Sequence, residues 1–385
     1  MTEAARAPEA RSWLPSRLTG VDAARGLALI GMFVAHVAPA AASVDAAELI
    51  ALADERPRLL FALTAGIGLG LLTGGTRPAD AARGLLRRQV AIRAVLLIVL
   101  GVLVVALLHP LVFVILDVYG VAFLCMVPLL FVPARVAIAL GAGLLAVTPA
   151  LAAAAERDPA TVAASDRVGG FVVDWFLTGA YPVVIWVPVM LIGLGIARLD
   201  VASPAVVRRV ALAGALAASA CLPLSRLVPA TDPVVVGDPA ATWAVPLRAS
   251  LEVVGNVGVC LLIVAATVTL TDLARRPVRR ASTALLAPVT AMGAMPLSVY
   301  TAHLIVISAA KRVEDGVVTD DSWPLVIGLI AGSMAGAWLW QRYIGRGPLE
   351  SLFRWASGRT RAEAFTSASP PGRDDAAEST GPTKE

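Results

Sequence analysis

Apolar residues come in long runs along this chain, separated by short segments in which Arg, Asp, Pro and Gly collect. Ten runs approach the length of about 20 residues that an α-helix needs to cross the hydrocarbon of a bilayer. They lie at 21–42, 58–75, 91–108, 111–132, 136–154, 179–197, 207–225, 250–272, 284–308 and 324–344. The pattern predicts an all-α polytopic membrane protein of about ten transmembrane helices.

The first run differs from the rest because it holds Arg25 and His36. Eleven steps of about 100° return to within roughly 20° of the start, so both residues share one helix face, about 16.5 Å apart along the axis. That is roughly half the hydrocarbon thickness. Ionisable side chains at such depth are costly and mark a pathway or a reaction site.

Composition agrees with the run pattern: 58% of residues are hydrophobic and 16% charged, and the mean hydropathy is +0.78. Nucleic acid is not an expected partner, because the net charge of +4 comes from Arg clusters between apolar runs. Those clusters orient the chain. Alternate connecting segments, beginning with the one before the first run, hold fifteen Arg, and the other set holds eight Arg and Lys mixed with acids. The positive-inside rule then places both termini in the cytoplasm and the protein in the plasma membrane. Residues 1–16 read as a cytoplasmic tail without a cleavable signal, 17–357 as one transmembrane domain, and 358–385 as a disordered cytoplasmic tail rich in Ser, Pro, Thr, Asp and Glu. Cys125, Cys221 and Cys260 lie within apolar runs as packing residues, and no Cys/His metal spacing, P-loop, GxGxxG or nucleophile elbow occurs.

This orientation puts His36, His109 and His303, which are all the histidines of the chain, in the extracytoplasmic half, together with Asp117 and Tyr119. Such a concentration predicts a polar cavity there. In DWFLTGAYPVVIWVP, Asp174, Tyr181, Gly179 and two prolines suggest a broken helix at a substrate entrance, with Trp175, Tyr181 and Trp186 in the outer aromatic belt. Gly66, Gly70 and Gly74 predict close helix approach, Arg93 a side chain snorkelling to the cytoplasmic headgroups, and Glu252 with Asn256 either an interhelical hydrogen bond or part of the cavity.

Five blocks carry a family resemblance: DAARGLALIGMFVAH, ILDVYGVAFL, LTGAYPVVIWVPVMLIGLGIARLD, GAMPLSVYTAHLIV and WQRYIGRGPLESLFRW. In this order they resemble the bacterial YeiB-type membrane proteins and the heparan-α-glucosaminide N-acetyltransferase-like proteins, over roughly residues 17–357. The Arg-x10-His spacing is also similar to the opening motif of the acyltransferase type 3 family. The resemblance implies transfer of an acetyl or other acyl group from cytoplasmic acyl-CoA to a sugar across the membrane. In the heparan enzymes the active His is expected in the outer loop after the first span; here residues 44–57 hold no His, and the role falls to His36.

Combining resemblance and residues gives a scheme without a metal. Arg25 binds the anionic end of acetyl-CoA, and His36 acts as base or acyl carrier. Asp117, or Asp174, orients the imidazole, and His303 polarises the thioester or binds the acceptor. His109, Tyr119, Asp174 and Tyr181 bind a glycan or glycolipid acceptor. Membrane lipids are partners, and a second copy of the chain is a candidate one. The alternative is a proton-coupled transporter of a small solute or lipid that uses the same His and Asp residues as a relay.

Overall fold

In a computed structural model of the protein, residues 18–40, 53, 55–229, 241–314 and 316–358 are described. The two predicted tails, apart from Gly358, and most of the loop at 44–57 lie outside these residues. The described chain is helical, apart from a hairpin of two three-residue antiparallel strands, β1 (Arg312–Glu314) and β2 (Val317–Thr319).

The helices are α1 (Thr19–Val37), α2 (Glu55–Leu72), α3 (Arg83–Leu108), α4 (Leu116–Met126), α5 (Ala134–Ala155), α6 (Pro159–Ser165) and α7 (Phe171–Val173). They continue with α8 (Val183–Arg198), α9 (Pro204–Leu227), α10 (Ala241–Val268), α11 (Arg276–Leu285), α12 (Ala287–Ala294), α13 (Pro296–Ala309), α14 (Trp323–Tyr343) and α15 (Pro348–Ala356). Every predicted span contains a helix, but not every one of these helices is long and apolar enough to cross a membrane. Among the described residues, six helices are long and apolar enough to span a membrane, or up to eight if the two bent pairs are each one span. The other two predicted spans fall short for physical reasons. The start of α2 carries Glu55, Arg56 and Arg58, and α4 has only 11 residues.

The protein is therefore a multi-pass membrane protein, and α1 is its central post. α1 packs against α2, α10 and α12, and the apolar stretches of α1 and α10 are each 61% buried, whereas those of α9 and α14 are 17% buried. The approach of α1 to α12 is close because two glycines face it: a Cβ on Gly26 would overlap the Val289 carbonyl, and one on Gly293 would overlap that of Asp22. The predicted glycine contact on α2 holds in part, since Gly66 and Gly70 meet α8, while Gly74 lies beyond the helix at φ +106° in a turn that glycine favours.

Two breaks shape the bundle. The one suggested by Gly179 and Pro182 separates Phe171–Thr178 from α8 at an angle of 51°. The run at 284–308, read as one span, is instead bent by 92° between α12 and α13, with Met295 at the corner and Pro296 opening the second half. Proline suits that first helical position because the missing N–H would have no partner there.

Candidate functional site

The last turn of α1 presents His36, and α13 presents His303 to it. His36 Nδ1 and His303 Nε2 are 3.0 Å apart, and the two rings stack with centroids 5.2 Å apart. His303 is 1% exposed, with the Phe33 and Tyr300 rings each 4.7 Å from its own, while His36 is half-buried. His303 Nδ1 is also hydrogen-bonded to the Tyr300 carbonyl oxygen. A carbonyl only accepts, so Nδ1 of His303 carries a proton. In the neutral pair His303 Nε2 is then an acceptor, and the bond between the rings is donated by His36 Nδ1–H. This assignment leaves the lone pair of His36 on Nε2, where no described residue takes it. The arrangement has the logic of a base held in one tautomer by a second group, with a backed imidazole in place of a carboxylate.

The other expected site residues fall around this pair at varying distance. Asp117, in the first turn of α4, accepts from Trp175 Nε1 at 3.0 Å, and its Oδ1 is buried with no partner among the described residues. Asp174 accepts from Thr178 Oγ1 at 2.8 Å. Neither carboxylate bonds an imidazole. Tyr300 connects the pair to α4 instead, since its hydroxyl accepts from the Ile115 amide at 3.3 Å. Tyr119 and Tyr181 donate to the carbonyls of Phe61 and Phe113, and each meets the Trp186 ring edge-on, with centroids 5.7 and 5.9 Å away. Trp186, expected in the interfacial belt, is 2% exposed and belongs to the core. Arg58 lies over the Tyr181 ring, 5.8 Å from its centroid. His109 is not part of the pair: it ends α3 in the left-handed conformation at φ 45°, exposed, and its carbonyl accepts from Lys311. Asn256 is an interhelical link, to Arg56 and Glu55 of α2, while Glu252 pairs with Arg248 on its own helix.

At the opposite end of α1, Arg25 donates to Asp22 Oδ1 and the Gly293 carbonyl, each at 3.2 Å, and to the Thr64 carbonyl at 3.0 Å. Its guanidinium thus ties α1 to α2 and to the last turn before the 92° bend. Arg93 was expected to snorkel to the cytoplasmic headgroups. It lies in the electrostatic neighbourhood of Glu350, Arg25 and Arg354, with no hydrogen-bond partner among the described residues. Arg25 is already paired with Asp22, so Arg93 and Arg354 against Glu350 leave one surplus positive charge, a donor set that fits a phosphate-bearing group. Glu350 was missed in the sequence: its Oε1 accepts from the amides of Leu297 and Ser298 at 2.7 and 3.1 Å, capping the helix that carries His303. Only a carboxylate in the first turn of an amphipathic final helix hinted at it. Among the described residues, no group of three or more His, Cys, Asp or Glu is placed to share a metal ion.

The fold is that of a multi-pass membrane protein, and comparison with known families adds a transmembrane acetyltransferase-like class. A family model described as "Heparan-alpha-glucosaminide N-acetyltransferase, catalytic" matches residues 17–227, and a second, "Protein of unknown function (DUF418)", matches residues 195–360. The first covers more than half of the chain, and the chain belongs to that family. His36 lies within the first match and His303 within the second, so the imidazole pair joins the two. A search of curated proteins gave no match.

Proposed function

We propose that the protein transfers an acetyl or longer acyl group from acyl-CoA on the cytoplasmic side to a hydroxyl or amino group of an extracytoplasmic glycan or glycolipid. The observation that carries this reading is the His36–His303 bond, with His303 Nδ1 fixed on the Tyr300 carbonyl. For a hydroxyl acceptor, His36 Nε2 takes its proton, the acceptor oxygen attacks the thioester carbonyl, and the C–S bond breaks. The departing thiolate then takes the proton back from the imidazolium. While His36 holds that proton, its Nδ1–H remains bonded to His303, which keeps the ring from turning. Arg93 and Arg354 hold the donor's phosphates, while Arg25 keeps the bend before α13 in place. In this reading both termini are cytoplasmic, the protein sits in the plasma membrane, and His36 lies near the outer face.

The test is mass spectrometry of lipid and glycan fractions from a deletion strain complemented with the wild-type protein. A 42-dalton or longer acyl increment that disappears on deletion and returns with the intact gene supports transfer. Unchanged envelope chemistry, together with proton-coupled uptake of a solute into proteoliposomes, would favour the transporter.

A further inference from the structure

The outermost part of the bundle offers a site that the His36–His303 pair does not use. Beside the contact of α14 with α12 runs an apolar groove of about 490 Å³ lined by Pro288 of α12 and by Ile327, Ile330, Met334 and Trp338 of α14. The spacing of the α14 residues puts them on one helix face. From Ile327 to Trp338 the groove follows eleven residues of helix, about 16.5 Å, against about 15 Å for the hydrocarbon of one leaflet. It therefore has the length of a single acyl chain.

Trp338 also lines a second, polar cavity of about 380 Å³, together with Thr19, Thr283, Thr290, Gln341 and Arg342. The Thr290 hydroxyl oxygen is buried with no partner, and the side chains of Thr19, Thr283, Gln341 and Arg342 have no hydrogen-bond partner among the described residues. Of these only the Thr290 oxygen is buried, and a buried hydroxyl without a partner at the mouth of an apolar groove favours a ligand with a polar head there. The charge at this end is positive. Besides Arg342, the short helix α11, whose Thr283 lines the cavity, carries Arg276, Arg279 and Arg280 on one side and exposed Val278 and Leu285 on the other. That is the pattern of a helix lying in a lipid interface with cationic groups at the headgroup level.

We propose that this groove binds one anionic phospholipid, its phosphate at Arg342 and Thr290 and one acyl chain against α14. Two features favour a lipid over the acyl-CoA donor. The α14 wall faces the membrane, with Ile327 64% exposed, so a bilayer lipid enters sideways. The polar end gathers at Thr19, the opposite end of α1 from His36, and neither histidine lines the groove, so a thioester bound here would lie far from the imidazoles.

Native mass spectrometry of the full-length protein, released from nanodiscs of phosphatidylglycerol and phosphatidylcholine in equal parts, tests the proposal. The expected result is one phosphatidylglycerol retained in preference to phosphatidylcholine. Arg342→Gln should weaken that preference about tenfold, the effect of losing one charge-assisted hydrogen bond. Ala331→Phe, on the exposed groove face of α14, should abolish retention of either lipid. Both substitutions lie on exposed positions and are read without any activity assay. Equal retention of the two lipids by the wild type, or an unaltered preference in Arg342→Gln, overturns the proposal. Displacement of the lipid by acetyl-CoA also overturns it, by assigning the groove to the donor.

Discussion

Glu350 and Leu297 are 53 residues apart in the chain, and the carboxylate of the first accepts the backbone N–H of the second at 2.7 Å. With the Ser298 amide bound to the same oxygen and the Ser298 hydroxyl bound to the other, Glu350 supplies to α13 the cap that its own sequence lacks. His303 sits about one and a half turns further along this helix. The last described helix thereby fixes the direction in which His303 meets His36.

Replacing Glu350 tests that relationship. Glu350→Ala should destabilise the protein by about 1–2 kcal/mol, the usual cost of a lost helix cap, and should lower acyl transfer further because the imidazole pair loses its register. Glu350→Gln keeps a carbonyl oxygen for the two amides and should recover most of both. Melting curves and transfer rates measured on the two variants check this. Full activity in Glu350→Ala would separate the cap from the site.

Arg25 and Arg93 should behave oppositely when changed. Arg25 is spent on Asp22, Gly293 and Thr64, so Arg25→Lys, which lacks the planar fork, should lower stability by roughly 1.5–3 kcal/mol and leave acetyl-CoA affinity nearly intact. Arg93 has no such bonds, so Arg93→Gln should leave melting unchanged and weaken acetyl-CoA binding about tenfold. Calorimetric titration beside thermal unfolding decides between them, and reversed results would return the donor site to Arg25.

Asp320 provides a pH dependence outside the spans. It lies two residues before Ser322, whose amide donates to the Val37 carbonyl at 2.8 Å. It is 3% exposed with Oδ2 unpartnered, and burial pushes its carboxyl above the ordinary value of 3.8. A raised folded pKa means that the unfolded chain gives up this proton first as pH rises. The native state is then increasingly disfavoured from the unfolded value up through the folded one. Asp320→Asn should therefore melt above the wild type at pH 7, with the difference closing below about pH 4. Parallel melting curves across that range would show it.

The proposed orientation has a separate check. Reporters fused after Arg359 and inserted within 310–322 should report opposite sides of the membrane, with the first inside. The same side for both would remove the assignment of His36 to the outer leaflet.

What was legible in the sequence follows from short-range regularities. Apolar runs mark helices because the bilayer leaves the backbone no other way to satisfy its polar groups. A count along α1 put Arg25 and His36 on one face, and equal depth brought His303 into the same layer. Depth does not give lateral position, however, so His109 shared that layer and still proved to be an exposed helix end. The capping by Glu350 depends on contacts about fifty residues apart, and the Arg25 bond to Gly293 beside the bend spans 268, which no periodicity records. Asp117 was expected beside an imidazole but met Trp175, because Gly101 lets α3 come close to α4 and the break before α8 carries the indole to the carboxylate. Arg25 was assigned to the donor's anionic end because two of its three partners are backbone carbonyls of distant helices, and carbonyls leave no trace in a residue pattern.

The central claim is that Nε2 of His36 does the chemistry. The most direct measurement is acyl transfer by His36→Gln, because glutamine keeps a hydrogen-bonding group beside His303 but cannot shuttle a proton near neutral pH. The account predicts transfer lost, with acetyl-CoA binding and folding close to normal, since the donor's anionic end is held about 16 Å away near the Arg25 end of α1. A His36→Gln protein that retains most of its transfer would contradict it.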